Sequence, residues 1–425
     1  MGFVDKDYKI RTIDNKISEM LRSFGAVCVE GPKWCGKTWA SLNQAQSVSY
    51  IADPSNSFQN RRMAEISPEL VLDGEYPRVI DEWQEVPEIW DAVRFEVDKD
   101  GKKGKFILTG SSTPKRKGIL HSGAGRIGRI HMSTMSLYEM GKSSGQVSIM
   151  DLFGDCVKNI ATGEIKLTQL IEFAVCGGWP GSMGLDIEDA ARIPYQYLQA
   201  VVEDDMYRLD GIKRDSKKVY ALLRSLGRNE STMVSNQTLK KDITAYNDEI
   251  VETDTIAEYL DSFERLFLID NQPAYNPSLR SSRRALKSPK RHFADPSLAV
   301  AALSATKDML LNDLNTFGFI FEALCEHDLK IYASAHDGKL FHFRDDRNNE
   351  IDAVIELPDG RWGAFEIKLG MNQVDAAAEE LLKMKKIMEK EGAAPSVLCV
   401  ICGMSNMAYK RTDGVYVVPI TAMRD

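Results

Sequence analysis

Two sets of residues in this chain have the types and spacing to do phosphate chemistry. The first is Gly31-Pro32-Lys33-Trp34-Cys35-Gly36-Lys37-Thr38, which fits G-x-x-x-x-G-K-[ST] and lies between an apolar run, Ala26 to Glu30, and a helical pattern. Glycines at such a bend let backbone N–H groups close around phosphate oxygens, and the start of the next helix adds positive potential. In that setting Lys37 reaches the β- and γ-phosphates of a nucleoside triphosphate and Thr38 ligates Mg²⁺, so ATP and Mg²⁺ are the expected cofactors.

A second apolar run ends in Asp81-Glu82. Asp81 would hold the magnesium through water, and Glu82 would orient and polarise the attacking water. A third run ends in Leu108-Thr109-Gly110-Ser111-Ser112, whose Thr109 and Ser111 offer hydroxyls to the γ-phosphate. Arg126, among the glycines of Gly123-Ala124-Gly125-Arg126-Ile127-Gly128-Arg129, is the candidate finger onto a γ-phosphate in its own or a neighbouring subunit, which makes a homo-oligomer reasonable.

The other set lies near the C-terminus. Leu357-Pro358-Asp359-Gly360 has proline and glycine where a three-residue hairpin loop wants them, so Leu357 faces Arg361, Asp352 faces Glu366 and Glu350 faces Lys368. Side chains alternate along a strand, which puts Asp352, Glu366 and Lys368 on one face. Hydrolysing a phosphodiester with a hard cation needs such a set: oxygen ligands from Asp352 and Glu366, a lysine near the attacking water, and Glu322 of a preceding helix to complete the shell.

The elements that must position these groups follow from periodicity. Residues 1–135 alternate strand and helix patterns, the rhythm of a parallel sheet with helices on both faces, which presents its chemistry at the carboxyl ends of the strands. Residues 136–215 read as a helical lid or connector. Residues 216–311 carry successive helix caps, at Val234 to Leu239 and Thr253 to Ile256, that suit a winged helix. Its wing would hold Arg280, Arg283, Arg284, Lys287, Lys290 and Arg291 with no acid among them, the expected contact for a DNA backbone and hence a salt-sensitive one. Residues 312–425 read as helix, three strands, helix, strand.

Composition sets the outer limits. A chain of 425 residues, 43% hydrophobic and 27% charged, has the make-up of a multidomain globular protein and excludes a disordered or collagenous one. With 54 basic and 62 acidic residues the net charge is −8, which argues against a uniformly basic nucleic-acid coat and leaves room for a local patch. No apolar run is long enough for a bilayer and the start is too polar for a leader, so no membrane partner is expected. The seven scattered cysteines suit a reducing cytoplasm. Cys399-x-x-Cys402 sits in an apolar strand with no second pair, and the six histidines show no H-E-x-x-H spacing.

The glycine loop with Phe24-Gly25-Ala26-Val27 before it, then Asp81-Glu82-Trp83-Gln84, Leu108-Thr109-Gly110-Ser111, Gly125-Arg126, Gly177-Gly178-Trp179-Pro180 and Ala294-Asp295-Pro296-Ser297-Leu298, resembles the prokaryotic AAA-type ATP-binding proteins that carry a C-terminal domain of unknown function. That resemblance implies an ATPase core, a helical and winged-helix middle and a nuclease-like end. The D…E-x-K arrangement resembles the PD-(D/E)XK restriction-endonuclease-like nucleases, with Ile351 where their pattern has proline. The expected fold is therefore α/β and multidomain: a P-loop NTPase, the helical middle, and a restriction-endonuclease-like α/β domain. Two functions are open: an ATPase that drives DNA binding with cleavage or remodelling, or a nucleotide switch whose nuclease-like end is an inactive interaction module.

Overall fold

The computed structural model describes residues 8–113, 120–247, 251–276, 288–347, 349–390 and 392–425. The chain divides into two compact units, the first made of residues up to 134 with 203–214 and 261–268, the second of 135–202, 215–260 and 269–425.

In the first unit the three apolar runs become β1 (Ala26–Glu30), β3 (Arg78–Asp81) and β4 (Phe106–Gly110), and two strands not read from the sequence join them, β2 (Ser47–Tyr50) and β5 (Ile127–His131). They pair in parallel in the order β2-β3-β4-β1-β5. Helices α1 (Ile13–Ser23), α2 (Lys37–Leu42), α3 (Ser55–Ile66) and α4 (Ile89–Asp100) cover both faces. Alternate strand residues show it. Ala26, Cys28, Ile80, Phe106 and Leu108 pack with Ala64 of α3 and Val93 and Val97 of α4, whereas Val27, Val29, Val79 and Ile107 pack with Ile17 and Leu21 of α1 and Ala40 of α2. Burial on two faces is why these strands read as unbroken apolar runs. Each large side chain so buried stabilises the unit by about 1.5–3 kcal/mol. Because the strands are parallel, β1, β3 and β4 deliver residues 31–38, 81–82 and 111 to one edge of the sheet.

The second unit holds α5 (Leu167–Cys176), α6 (Ile187–Ala200), α7 (Ser216–Arg228), α8 (Asn236–Asn247), most of α9 (Thr253–Arg265), α10 (Pro296–Ala302), α11 (Leu314–Ser334) and α12 (Val374–Lys390). Aspartates start four of them: Asp186, Asp215, Asp295 and Asp313 each accept a hydrogen bond from a first-turn N–H. After α7 to α9, isolated antiparallel bridges join Thr232 to Arg291, Ile269 to Phe293 and Gln272 to Lys290. Arg280, Arg283, Arg284 and Lys287 of the expected wing lie outside the described residues.

A mixed sheet follows, built from β6 (Lys339–Arg344), β7 (Glu350–Glu356), β8 (Trp362–Lys368), β9 (Val397–Cys402), β10 (Met407–Lys410) and β11 (Tyr416–Val418). It has seven strands because Ile160–Ala161 pairs with β10 at its edge, giving the order Ile160–Ala161, β10, β11, β9, β8, β7, β6. The hairpin has the expected register: the Leu357 N–H donates to Arg361 O at 2.9 Å and Ala353 pairs with Phe365. Gly360 turns the loop with φ 87°. α12 lays Val374, Ala377, Ala378, Leu381 and Met384 on Val354, Ala364, Leu398 and Val400. Among the described residues no helix is long and apolar enough to cross a membrane.

Candidate functional site

The loop between β1 and α2 is shaped by close backbone approach. A Cβ on Gly31 would sit 2.1 Å from the Met132 carbonyl oxygen, and Gly36, with φ 106°, turns the chain into α2. Pro32 contributes its carbonyl, which takes a hydrogen bond from Lys37 Nζ at 2.7 Å, and Lys37 is almost fully buried. Cys35 points inward, its Sγ donating to Met132 O, while Trp34 is 68% exposed. Lys33, expected to face the nucleotide, is instead held by Asp205 of the 203–214 segment within the same unit.

Sequence reasoning missed a second support for this loop. Arg11 is buried just before α1, and its guanidinium donates to Cys35 O at 2.7 Å and to Ser133 O at 3.0 Å. A lone arginine in a polar N-terminal stretch gives no motif to find. Only the neighbouring Asp14, which accepts from the Arg11 N–H at 2.9 Å, hints at local order.

The acids at the end of β3 are tightly positioned. Asp81 Oδ1 accepts from Thr38 Oγ1 and from Thr109 Oγ1, each at 2.7 Å. Burial pushes the Asp81 carboxyl above the usual carboxylate range, against the two hydroxyls that favour its charged form. Glu82 adopts a left-handed backbone at φ 57°. Such a turn costs a non-glycine residue about 1–3 kcal/mol and is held here by Thr109 Oγ1, which accepts from the Glu82 N–H at 3.0 Å. Glu82 Oε2 accepts from Ser111 Oγ at 2.8 Å and from Gln84 Nε2. Thr109 and Ser111, expected to meet a γ-phosphate, are thus buried and spent on the two acids. Gln84 joins them as a residue whose role the sequence did not reveal.

Arg126 requires a correction. It precedes β5, and Ile127 pairs with Ala26, the first residue of β1, so Arg126 lies at the amino edge of the sheet, whereas the loop 31–38 leaves the carboxyl edge. Five residues of strand separate those edges, about 17 Å. Arg126 is bound to Asp98, with Nε to Oδ1 at 2.8 Å, and cannot reach a phosphate on its own loop.

Thr38 Oγ1 and Asp81 Oδ1 are adjacent hard oxygens beside a buried ammonium, a donor set that fits Mg²⁺ carried by a triphosphate. Residues 23–141 match the AAA domain model. The N-terminal module is similar to AAA-type P-loop ATPase domains. Beyond that ATPase domain, residues 167–309 match a domain of unknown function, DUF8612, and 317–423 match another, DUF4143. Over 357 residues the chain is 22% identical to the uncharacterized proteins Rv2008c of Mycobacterium tuberculosis and Mb2031c of Mycobacterium bovis, covering 83% of this chain and 72% of each relative. The Walker-type ATPase PABY2304 of Pyrococcus abyssi aligns over 71% of this chain and 97% of its own, at 14% identity and a TM-score of 0.43.

On the second sheet, Asp352, Glu366 and Lys368 do converge. Lys368 Nζ stands 2.7 Å from Glu366 Oε2 and 3.2 Å from Asp352 Oδ2, which also accepts from the Ile367 N–H at 2.8 Å. Burial, reinforced by the nearby Asp352, raises the Glu366 carboxyl well above its usual range. For Asp352 burial acts in the same direction, but the ammonium groups of Lys368 and Lys290 outweigh it and hold this carboxyl low. The three residues open onto a polar cavity of about 340 Å³ that Glu380 and Lys383 of α12 also line.

Two expectations fail here for one reason. Lys290, expected on a DNA-binding wing, is fully buried and donates to Glu322 Oε1 at 2.7 Å, Glu326 Oε1 at 2.8 Å and Asp352 O at 3.0 Å. Those carboxylates overcome its burial and keep it protonated. Glu322, expected as a metal ligand, is therefore already paired. Among the described residues no three His, Cys, Asp or Glu side chains form a metal-holding group. The remaining oxygens, Asp352 and Glu366, fit at most one hard cation that brings further ligands with its substrate. Arg291, next in the chain, donates to Asn236 Oδ1 at 3.1 Å.

Proposed function

We propose that the chain is a magnesium-dependent ATPase whose nucleotide cycle governs DNA binding by the second unit and phosphodiester cleavage at Asp352, Glu366 and Lys368. The observation that carries the ATPase half is Asp81, gripped by Thr38 of the glycine loop and Thr109 of the neighbouring strand, with Glu82 fixed beside it. In this reading the loop amides and Lys37 bind the phosphates, Thr38 and Asp81 hold the magnesium, and Glu82 takes the proton from the attacking water. Bound magnesium would neutralise phosphate charge and align the γ-phosphate. Ser111 and Gln84 keep Glu82 in one orientation. At the second cluster Asp352 and Glu366 would hold a cation, and Lys368 would face the attacking water and the developing negative charge.

The test pairs two assays on purified full-length protein. Phosphate release from ATP should require Mg²⁺ and fall in Glu82→Gln, and nicking of circular DNA with Mg²⁺ or Mn²⁺ should vanish in Asp352→Ala.

A second reading is a nucleotide switch whose C-terminal module binds a partner without cleaving. The pairing of Glu322 with Lys290 favours it, since it removes one carboxylate from the set a nuclease would use. ATP turnover with no cleavage of circular, linear or branched DNA would select this reading.

A further inference from the structure

A groove in the second unit, distant in sequence from the acidic cluster, combines cations and exposed aromatic rings. α6 and α7 flank it, with α10 at its base, and its volume is about 430 Å³. Lys217, Tyr220 and Arg224 line it from α7, at the i, i+3 and i+7 positions that share one helix face. Tyr195 and Gln199 line it from α6, an i, i+4 pair. Leu198, Ala221 and Ala302 supply an apolar floor.

Three features give the groove a chemical sign. No acid lines it. Neither Lys217 nor Arg224 forms an ion pair with a described residue, in a chain of net charge −8 where exposed cations such as Arg192 and Arg208 do. Tyr195 is 54% exposed and Tyr220 41%, so both rings leave part of their surface open to solvent. Two unpaired cations beside two accessible aromatic rings suit a ligand that joins a phosphate to a flat base. The volume suits one such unit. A base inside a duplex has no free face to stack, so the matching polymer is single-stranded.

We propose that this groove binds single-stranded nucleic acid, with Lys217 and Arg224 on the backbone phosphates and Tyr195 and Tyr220 stacking on a base. The proposal rests on the nucleic-acid half of the reading above and assigns that contact to α6 and α7.

Fluorescence anisotropy of a labelled 12-nucleotide oligothymidylate with the full-length protein tests it. Wild type should bind with an affinity that falls as salt rises. Lys217→Ala/Arg224→Ala should weaken binding about ten-fold or more and flatten the log–log salt slope by about 1.4, two contacts at about 0.7 each. Tyr195→Ala should lose about five-fold or more, and Tyr195→Phe, which keeps the ring, should retain binding. All three variants should keep wild-type ATP turnover and thermal unfolding, because the residues are exposed and lie outside the ATPase domain. Unchanged affinity and slope in the double variant would overturn the groove while leaving nucleic-acid binding intact. Thymidine monophosphate competing as well as the 12-mer, mole for mole, would overturn the strand. Absence of binding to any single- or double-stranded oligonucleotide by wild type would sink both the groove and the DNA half of the proposed function.

Discussion

Lys290 Nζ lies 2.7 Å from Glu322 Oε1, with the lysine fully buried beside the Asp352 backbone and the glutamate partly buried. The ammonium serves two helix carboxylates one turn apart, so it behaves as a built-in counter-ion for α11.

Lys290→Met should therefore leave the buried Glu326 and the partly buried Glu322 without their shared ammonium. Removing one member of a buried ion pair costs about 3–5 kcal/mol, so thermal unfolding should shift down by many degrees. Adding Glu326→Gln to Lys290→Met should recover part of the loss.

The same carboxylate sets a pH dependence. Burial raises Glu322 to about 7 in the folded chain. A carboxyl whose folded pKa exceeds its unfolded one adds stability that is complete below the unfolded value and is lost as pH rises through the folded value. Stability from this group should thus decline between about pH 4.5 and 7. Glu322→Gln should flatten that part of the curve in denaturant titrations run across pH.

At the ATP site, Glu82→Gln should still bind nucleotide and hydrolyse it about 10²–10⁴-fold more slowly, since it removes a positioned base. Ser111→Ala frees Glu82 to rotate and should cost less, about ten-fold. Lys37→Ala should lose nucleotide binding in a calorimetric titration. Equal turnover in wild type and Glu82→Gln would strip Glu82 of its role.

Arg11→Ala would leave Cys35 O and Ser133 O without their buried donor. Each unsatisfied carbonyl costs about 1–3 kcal/mol, and the loop that carries Cys35 should loosen. Weaker ATP binding together with a lower unfolding temperature is the expected result.

Arg126→Ala breaks an exposed pair with Asp98 and a local hydrogen bond to the Ala124 carbonyl, and should leave turnover of the dilute chain unchanged. An effect that appears only as protein concentration rises would mark delivery to a second copy.

The centre of the parallel sheet was legible because burial on both faces writes β1, β3 and β4 as apolar runs, and glycine spacing marks the loop that follows β1, whereas the half-exposed β2 and β5 leave no such run. The Asp352–Glu366 register was legible for a similar reason: proline and glycine in a short loop leave one pairing. Lys290 was misread because composition assigns it to the basic run before it, whereas past Pro289 the chain enters a bridged segment. Alternation there turns Lys290 and His292 inward. Thr109 and Ser111 were identified as polar groups at a strand end, but spacing does not say whether a hydroxyl meets a ligand or a neighbouring acid. Arg126 looked mobile among glycines, and only the strand direction reveals which edge it occupies.

The ion pair between Lys33 and Asp205 joins the glycine loop to a stretch encoded some 170 positions later, and that stretch is rooted at both ends in the other unit. A fragment cut after residue 141 would keep every motif of the ATPase domain yet leave Lys33 without its anchor. Modularity drawn along the sequence is therefore not modularity in the folded chain: the polypeptide is interlaced, since 203–214 belongs to the first unit while the chain on either side of it belongs to the second.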